Sequence, residues 1–173
     1  MEAHRGRGTF VAANLPLGSE LDFNSLERQK IRLRDLLETR LLYEPHVAEM
    51  ACRRASDEEA EEICKQGEIV ASLIRQGADR VLEDQKFHRM IIAAAYHEFL
   101  LSLSPIMNKA IRDAIDLDMA GEQLAQEMLQ DHALVMTFLR KRDAIAARSA
   151  MEIHIHRIIQ ALDLGKTGDP LHY

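Results

Sequence analysis

The sequence predicts an all-α protein, an antiparallel bundle of about six or seven helices. Apolar residues between positions 19 and 164 recur every three or four positions, and Ala, Leu, Glu, Arg, Gln and Met dominate this stretch. Long helices follow, because that spacing places apolar side chains on one helical face and helix breakers are few. The breakers in the stretch are Gly67, Gly77, Gly121, Pro45 and Pro105.

Caps and breakers divide the stretch into six predicted helices. The first covers about residues 24–54. The second begins at Ser56, where Glu59 three residues later completes a capping-box signature, and Gly77 ends it. Pro105 predicts a kink or a break in the fourth. The third to sixth helices are expected over about residues 79–98, 100–118, 120–141 and 143–163.

The composition is that of one domain of ordinary size, with 173 residues, 47% of them hydrophobic, and a net charge of −6. No segment approaches the roughly 18 consecutive apolar residues of a membrane span, and the N-terminus lacks the apolar core of a signal peptide. We therefore expect a cytoplasmic protein without a membrane partner. The acidic balance argues against a chain that binds nucleic acid over its whole surface. Cys52 and Cys64 lack CxxC spacing and are expected to be reduced thiols.

The third predicted helix places polar residues on its apolar face. Val81, Asp84, His88, Ile91 and Ala95 follow one another in steps of three and four. Asp84 and His88 therefore project from the buried face one turn apart, which is the spacing of a chelating pair.

Two further histidines lie on the apolar faces of the fifth and sixth helices. His132 and His154 are 22 residues apart, and the expected turn at 140–143 lies midway between them. At about 1.5 Å rise per residue, both histidines lie roughly 16 Å from that turn. Their side chains can therefore meet across the antiparallel pair.

Three imidazoles and a carboxylate inside a bundle need partners, because burying polar groups without them is costly. A divalent metal would satisfy Asp84, His88, His132 and His154 together, and this ligand set suits Zn²⁺, Ni²⁺, Mn²⁺ or Fe²⁺. The alternative is that each histidine is a core residue with a hydrogen bond to a neighbouring side chain or carbonyl.

Arg40 is a further polar residue on an inward face, that of the first helix. It is predicted either to bind the carboxylate of a ligand or to form an ion pair with Glu44 one turn later. His97, near the end of the third helix, is a further candidate for the same pocket. His156 shares the polar face of the sixth helix and is expected at the surface.

Several segments resemble the FCD domain, the C-terminal effector-binding domain of the FadR subgroup of GntR transcription regulators. They are ETRLLYEP at 38–45, DQKFH at 84–88, His132 and AARSAMEIH at 146–154. The resemblance implies a metal bound by Asp84, His88, His132 and His154, and a small organic acid as effector beside it. It also implies that Arg40 contacts the effector carboxylate. His97 stands where many members have Asn.

The N-terminal segment AHRGRGTFVA resembles the last strand and wing of the GntR winged helix. We therefore expect a remnant of the DNA-binding domain at 1–12, a linker at 13–24, the metal- and effector-binding helical domain at 25–164 and a loose tail at 165–173. The recognition helix is missing, so the chain is expected to be a fragment or to start at a late codon. Operator DNA is then bound only through the missing N-terminal domain.

The favoured function is that of a ligand-sensing and dimerisation domain in a metabolite-responsive transcription regulator. This interpretation predicts a homodimer without enzymatic activity. A helical metal-dependent hydrolase is the second possibility, because an open metal site can activate water. A helical interaction domain without a ligand is the third.

Overall fold

The computed structural model of the protein describes residues 2–4, 8–10, 33–114 and 122–163. The helical part confirms the predicted all-α bundle. Within the described residues it contains six helices, which are α1 (Leu33–Arg54), α2 (Asp57–Arg75), α3 (Val81–Ala94), α4 (Glu98–Ala114), α5 (Glu122–Lys141) and α6 (Ala144–Asp163). The predicted start of the first helix and the predicted end of the fourth lie outside these residues, as do the predicted linker and tail.

A short hairpin precedes the helices and belongs to a separate compact unit. Strands β1 (Glu2–His4) and β2 (Gly8–Phe10) pair antiparallel, with Ala3 opposite Thr9. The hairpin falls in the segment whose sequence resembles a wing. Its assignment to a winged helix stays a prediction.

Both predicted boundaries of α2 are confirmed. The Ser56 hydroxyl accepts the Glu59 N–H at 3.1 Å, and the Glu59 carboxylate accepts the Ser56 N–H at 2.8 Å, so the capping box is complete. At the other end Gly77 has a φ of +63°. The backbone of Ala78 donates to Leu73, closing the six-to-one bond of a Schellman motif.

The boundary between α3 and α4 differs from the prediction. Helix α3 ends at Ala94, because Tyr96 adopts a φ of +51° that a continuing helix excludes. The Tyr96 hydroxyl donates to the Glu59 carboxylate at 2.8 Å, which ties this turn to the start of α2. Pro105 lies inside α4, and the helix continues past it to Ala114.

Residues on helices from opposite ends of the chain share one core. Helix α1 packs mainly on α6, α5 pairs with α6, and α2 lies against α3 and α5. The fully buried core side chains include Leu37, Ile63, Phe87, Leu139 and Ile155. The inward faces of α1, α3, α5 and α6 therefore meet in one interior.

The turn between α5 and α6 sets the relative height of these two helices. It lies at the predicted position, with Arg142 at a φ of +57° and the Asp143 N–H bonded to the Phe138 carbonyl. The Arg142 guanidinium donates to the Ala55 carbonyl at 2.6 Å and to Asp57 at 2.6 Å. The corner is thus attached to the C-terminal end of α1.

None of the helices over the described part of the chain is both long and apolar enough to cross a membrane.

Candidate metal and effector site

Three buried histidines converge where α3, α5 and α6 meet. His88, His132 and His154 each offer a ring nitrogen within 4.8 Å of the others. The Nε2 atoms of His132 and His154 lie 3.3 Å apart across the helix pair. These two side chains therefore lie opposite one another, as their spacing predicted, and their ligation of a metal stays a prediction.

Asp84 lies at the edge of this cluster. Its Oδ1 is 3.4 Å from Nε2 of His132, and its Oδ2 is 3.9 Å from Nε2 of His88. The carboxylate is 14% exposed, whereas the three histidines are at most 3% exposed. Asp84 therefore faces the histidines from the side of the cluster that is nearer to solvent.

Burial keeps two of the histidines in the neutral form that binds metals. It lowers the pKa of His132 to about 4, and the nearby His88, Arg40 and Arg80 act in the same direction, against the charge of Asp84. Burial, together with His132 and His88, also holds the pKa of His154 well below its usual range. Neutral imidazole has a lone pair to offer to a cation at neutral pH.

The polar atoms of the cluster lack hydrogen bonds that would account for them as ordinary core residues. Among the described residues, the buried atoms without such a partner include Oδ1 of Asp84, Nε2 of His88, and Nδ1 of His132 and of His154. Because buried polar groups are normally paired, this concentration fits a bound cation better than it fits an apolar core.

Arg40 is buried and forms the ion pair that the sequence offered as one of two alternatives. Its Nε and Nη2 donate to the two oxygens of Glu44 at 2.6 and 2.9 Å. Burial alone would lower the pKa of Arg40, but the charge and hydrogen bonds of Glu44, together with the charge of Asp84, outweigh burial and raise that pKa. Conversely, burial tends to raise the pKa of Glu44, whereas Arg40 and His88 hold it well below its usual range.

Glu44 also links this pair to the histidine cluster. Its Oε2 lies 2.8 Å from Nδ1 of His88, and this contact helps to lower the pKa of Glu44. Tyr43 on the same helix is next to the pair, and burial followed by the charge of Glu44 raises the pKa of its hydroxyl above the usual range. No sequence pattern points to Tyr43, because it is not on the apolar stripe of the helix.

A second arginine lies one turn before Asp84. The guanidinium of the half-buried Arg80 contacts Sδ of Met128 at 3.6 Å. Arg80 precedes Asp84 by one helical turn, and Met128 precedes His132 by one turn. The Arg80–Met128 contact is therefore about 6 Å along the helices from the Asp84–His132 contact. The positive charge of Arg80 therefore lies beside the cluster.

Asp131 was not identified from the sequence and is part of the site's surroundings. It is 1% exposed, accepts a hydrogen bond from Arg157 at 2.5 Å, and lies 3.9 Å from Nδ1 of His154. Burial raises its pKa, against the effect of Arg157. Asp131 lies three residues after Met128 and four before Val135, so the spacing of three and four that marks inward positions applies to it as well.

The structure does not bring His97 into the cluster. His97 is exposed, and its Nδ1 accepts the backbone N–H of Leu100 at 3.4 Å in the first turn of α4. The expectation that it lines the pocket assumed that α3 continues to residue 98, whereas the chain turns away at Tyr96. His156 is exposed, as expected.

Comparison with known proteins gives three findings. None of the curated proteins matches the chain. A solved structure, GntR from Streptococcus agalactiae, superimposes with a TM-score of 0.73 at 24% identity, over 92% of this chain and 74% of that chain. The family model of the FCD domain matches residues 35–157, which is well over half of the sequence. The chain therefore belongs to the FCD domain family, and its helical fold is shared with a GntR regulator.

Proposed function

We propose that the helical domain senses a small organic acid through a bound divalent metal, within a metabolite-responsive transcription regulator. The observation that carries this proposal is the buried group of His88, His132 and His154 with Asp84 at its edge. Family membership supports an effector-binding regulatory role.

The donor set fits a first-row divalent metal. Asp84, His88, His132 and His154 would hold it, with Zn²⁺ as the first choice and Ni²⁺, Mn²⁺ or Fe²⁺ as further candidates. The neutral state of His132 and His154 and the unpaired buried atoms of the cluster support this assignment. When bound, the metal would supply a Lewis-acidic centre that attracts a carboxylate oxygen.

Two arginines make the surroundings of the cluster suitable for an anion. The Arg40–Glu44 pair engages Nε and Nη2, so the Nη1 edge of the guanidinium takes no part in it. We propose that Arg40 offers this edge to the effector carboxylate while Glu44 holds the guanidinium in place. Arg80, whose polar contact within the described residues is a weakly accepting thioether, adds positive charge one turn before Asp84.

The position of Arg40 on α1 suggests how binding is transmitted. Helix α1 packs along α6 and against α3, so it contacts two of the helices that carry the cluster. An acid that draws Arg40 and the metal together favours one arrangement of α1 over another. In a cytoplasmic homodimer this change would alter the spacing of attached winged helices, which bind operator DNA.

We propose no catalytic role for the site. Glu44, the buried carboxylate nearest His88, is paired with Arg40, and its lowered pKa makes it a poor general base. This observation favours a sensor over a metal-dependent hydrolase. The unpaired buried polar atoms of the cluster favour a sensor over an interaction domain without a ligand.

Thermal unfolding in the presence of small carboxylic acids tests the proposal. The zinc-loaded protein should be stabilised by at least one member of a panel of mono-, di- and hydroxycarboxylic acids, and not by the corresponding alcohols. A ligand at 100 times its Kd stabilises by about 2.7 kcal/mol. The same acid should give no shift after chelation. The exposed His156→Gln variant serves as a control and should respond as the unmodified chain does. Equal shifts with and without metal, or none for any acid, would contradict the proposal.

A further inference from the structure

We propose that Asp131 is a positioning residue that fixes the tautomer and orientation of His154, so that Nε2 of His154 is available to a metal. The inference rests on the metal-binding part of the proposed function. It concerns a residue that the ligand set does not include, and it follows from three observations.

Two buried atoms without hydrogen bonds face one another behind the cluster. They are Oδ2 of Asp131 and Nδ1 of His154, which lie 3.9 Å apart, and within the part of the chain described neither has another hydrogen-bond partner. Asp131 is 1% exposed and His154 is fully buried. Water is therefore a poor alternative partner for either atom, and the cheapest way to satisfy both is a hydrogen bond between them.

The opposite edge of the same imidazole points into the cluster. Nε2 of His154 lies 3.3 Å from Nε2 of His132, so the ring has its two nitrogens on two different sides. A neutral imidazole carries one proton. If Asp131 accepts that proton on Nδ1, the lone pair of Nε2 faces the other histidines. A carboxylate behind a ligating histidine raises the basicity of the ligand in the same way at many metal sites.

Arg157 holds the Asp131 carboxylate in the required position. Its guanidinium donates to Oδ1 of Asp131 at 2.5 Å and leaves Oδ2 on the side of His154. A movement of about 1 Å brings Oδ2 from ion-pair distance to hydrogen-bond distance of Nδ1.

The tautomer of His154 in the metal-free protein tests the inference directly. The probe is two-dimensional NMR of protein with ¹⁵N-labelled histidine rings, near neutral pH and in the presence of a chelator. We expect His154 to carry its proton on Nδ1 in the unmodified chain and to lose this preference in Asp131→Asn. A proton on Nε2 of His154 in the unmodified chain would overturn the inference, even if the variant fails to fold.

Zinc affinity gives the second test. In competition with a chromophoric chelator, Asp131→Asn should bind Zn²⁺ about 10 to 100 times more weakly than the unmodified chain, as outer-shell changes commonly do. Glu152→Gln removes a carboxylate from an exposed position on α6, two residues before His154, and should change the affinity less than twofold.

Arg157→Gln separates positioning from a merely structural ion pair. It removes the Arg157–Asp131 ion pair, as Asp131→Asn does, but leaves the carboxylate behind His154. Its zinc affinity should therefore fall by a smaller factor than that of Asp131→Asn. An equal loss in the two variants, or unchanged affinity and tautomer in Asp131→Asn, would overturn the inference. Absence of zinc binding by the unmodified chain would refute the proposed metal site, and the NMR measurement would still decide the role of Asp131.

Discussion

Acidification of the metal-free protein should destabilise it through its buried histidines. His132 is neutral and buried in the folded chain, with a pKa of about 4 against an ordinary value of 6.5. In the unfolded chain the same ring is solvated and protonates first as the pH falls. The contribution to stability is therefore complete above pH 6.5 and is lost as the pH falls from 6.5 to 4.

The size of the effect follows from the shift. One unit of pKa corresponds to about 1.4 kcal/mol, so His132 alone costs about 2 kcal/mol between pH 6.5 and 5 and about 3 kcal/mol by pH 4. His154 is shifted in the same direction and adds to the loss over the same range. A single domain has only about 5 to 15 kcal/mol of stability in total, so the combined effect is large.

Urea unfolding at pH 7, 6 and 5, with chelator throughout, measures this dependence. The unmodified chain should lose several kcal/mol between pH 7 and 5. His132→Gln should have a flatter dependence, by about 1.4 kcal/mol per pH unit, because it lacks one of the protons taken up on unfolding. His156→Gln, an exposed change on α6, is the matched control and should follow the unmodified chain. The same pH dependence in His132→Gln and in the unmodified chain would refute the burial of a neutral imidazole.

Three further predictions concern single side chains. Arg40→Lys removes the planar donor pair and should weaken binding of an acid effector about 10-fold or more in calorimetric titration without changing the zinc content; parallel loss of zinc would assign Arg40 a structural role. Gly67→Ala should lower the free energy of unfolding by about 1 kcal/mol, because the new Cβ would overlap Sδ of Met136. This overpacking outweighs the gain in helix propensity, and higher stability in urea unfolding would contradict the prediction. Arg142→Ala should lower the free energy of unfolding by about 1 to 2 kcal/mol in the same assay, because the hydrogen bond to the Ala55 carbonyl is lost. Arg142→Gly loses the same bond but should be destabilised less, because glycine suits a φ of +57°.

The helix pattern and the convergence of the histidines could be predicted because both depend on local periodicity. The spacing of His132 and His154 about their turn was sufficient to place them opposite one another. The capping box at Ser56 and the left-handed Gly77 were also predictable, since each has a residue signature. These features need no knowledge of how distant helices pack.

Other features depend on tertiary contacts that the sequence does not display. Tyr96 ends α3 in a left-handed conformation that favours glycine, and its bond to Glu59 holds it there, so the inward stripe could not be extended to His97. The two alternatives for Arg40 could not be separated, because an ion pair one turn apart is possible on any helix, and burial of both partners shows which contact is made here. The inward position of Asp131 is predictable from its periodicity, whereas its contact with His154 on α6 is a tertiary one.

Metal content tests the central claim most directly. The chain should be purified without chelators, incubated with Zn²⁺, freed of unbound metal by gel filtration and subjected to elemental analysis beside His132→Ala, with circular dichroism as a check on folding. The account predicts about one zinc per chain in the unmodified protein and a nearly metal-free but helical His132→Ala. Equal zinc in the two proteins, or none in either after incubation with each candidate metal, would contradict a metal centre at the histidine cluster.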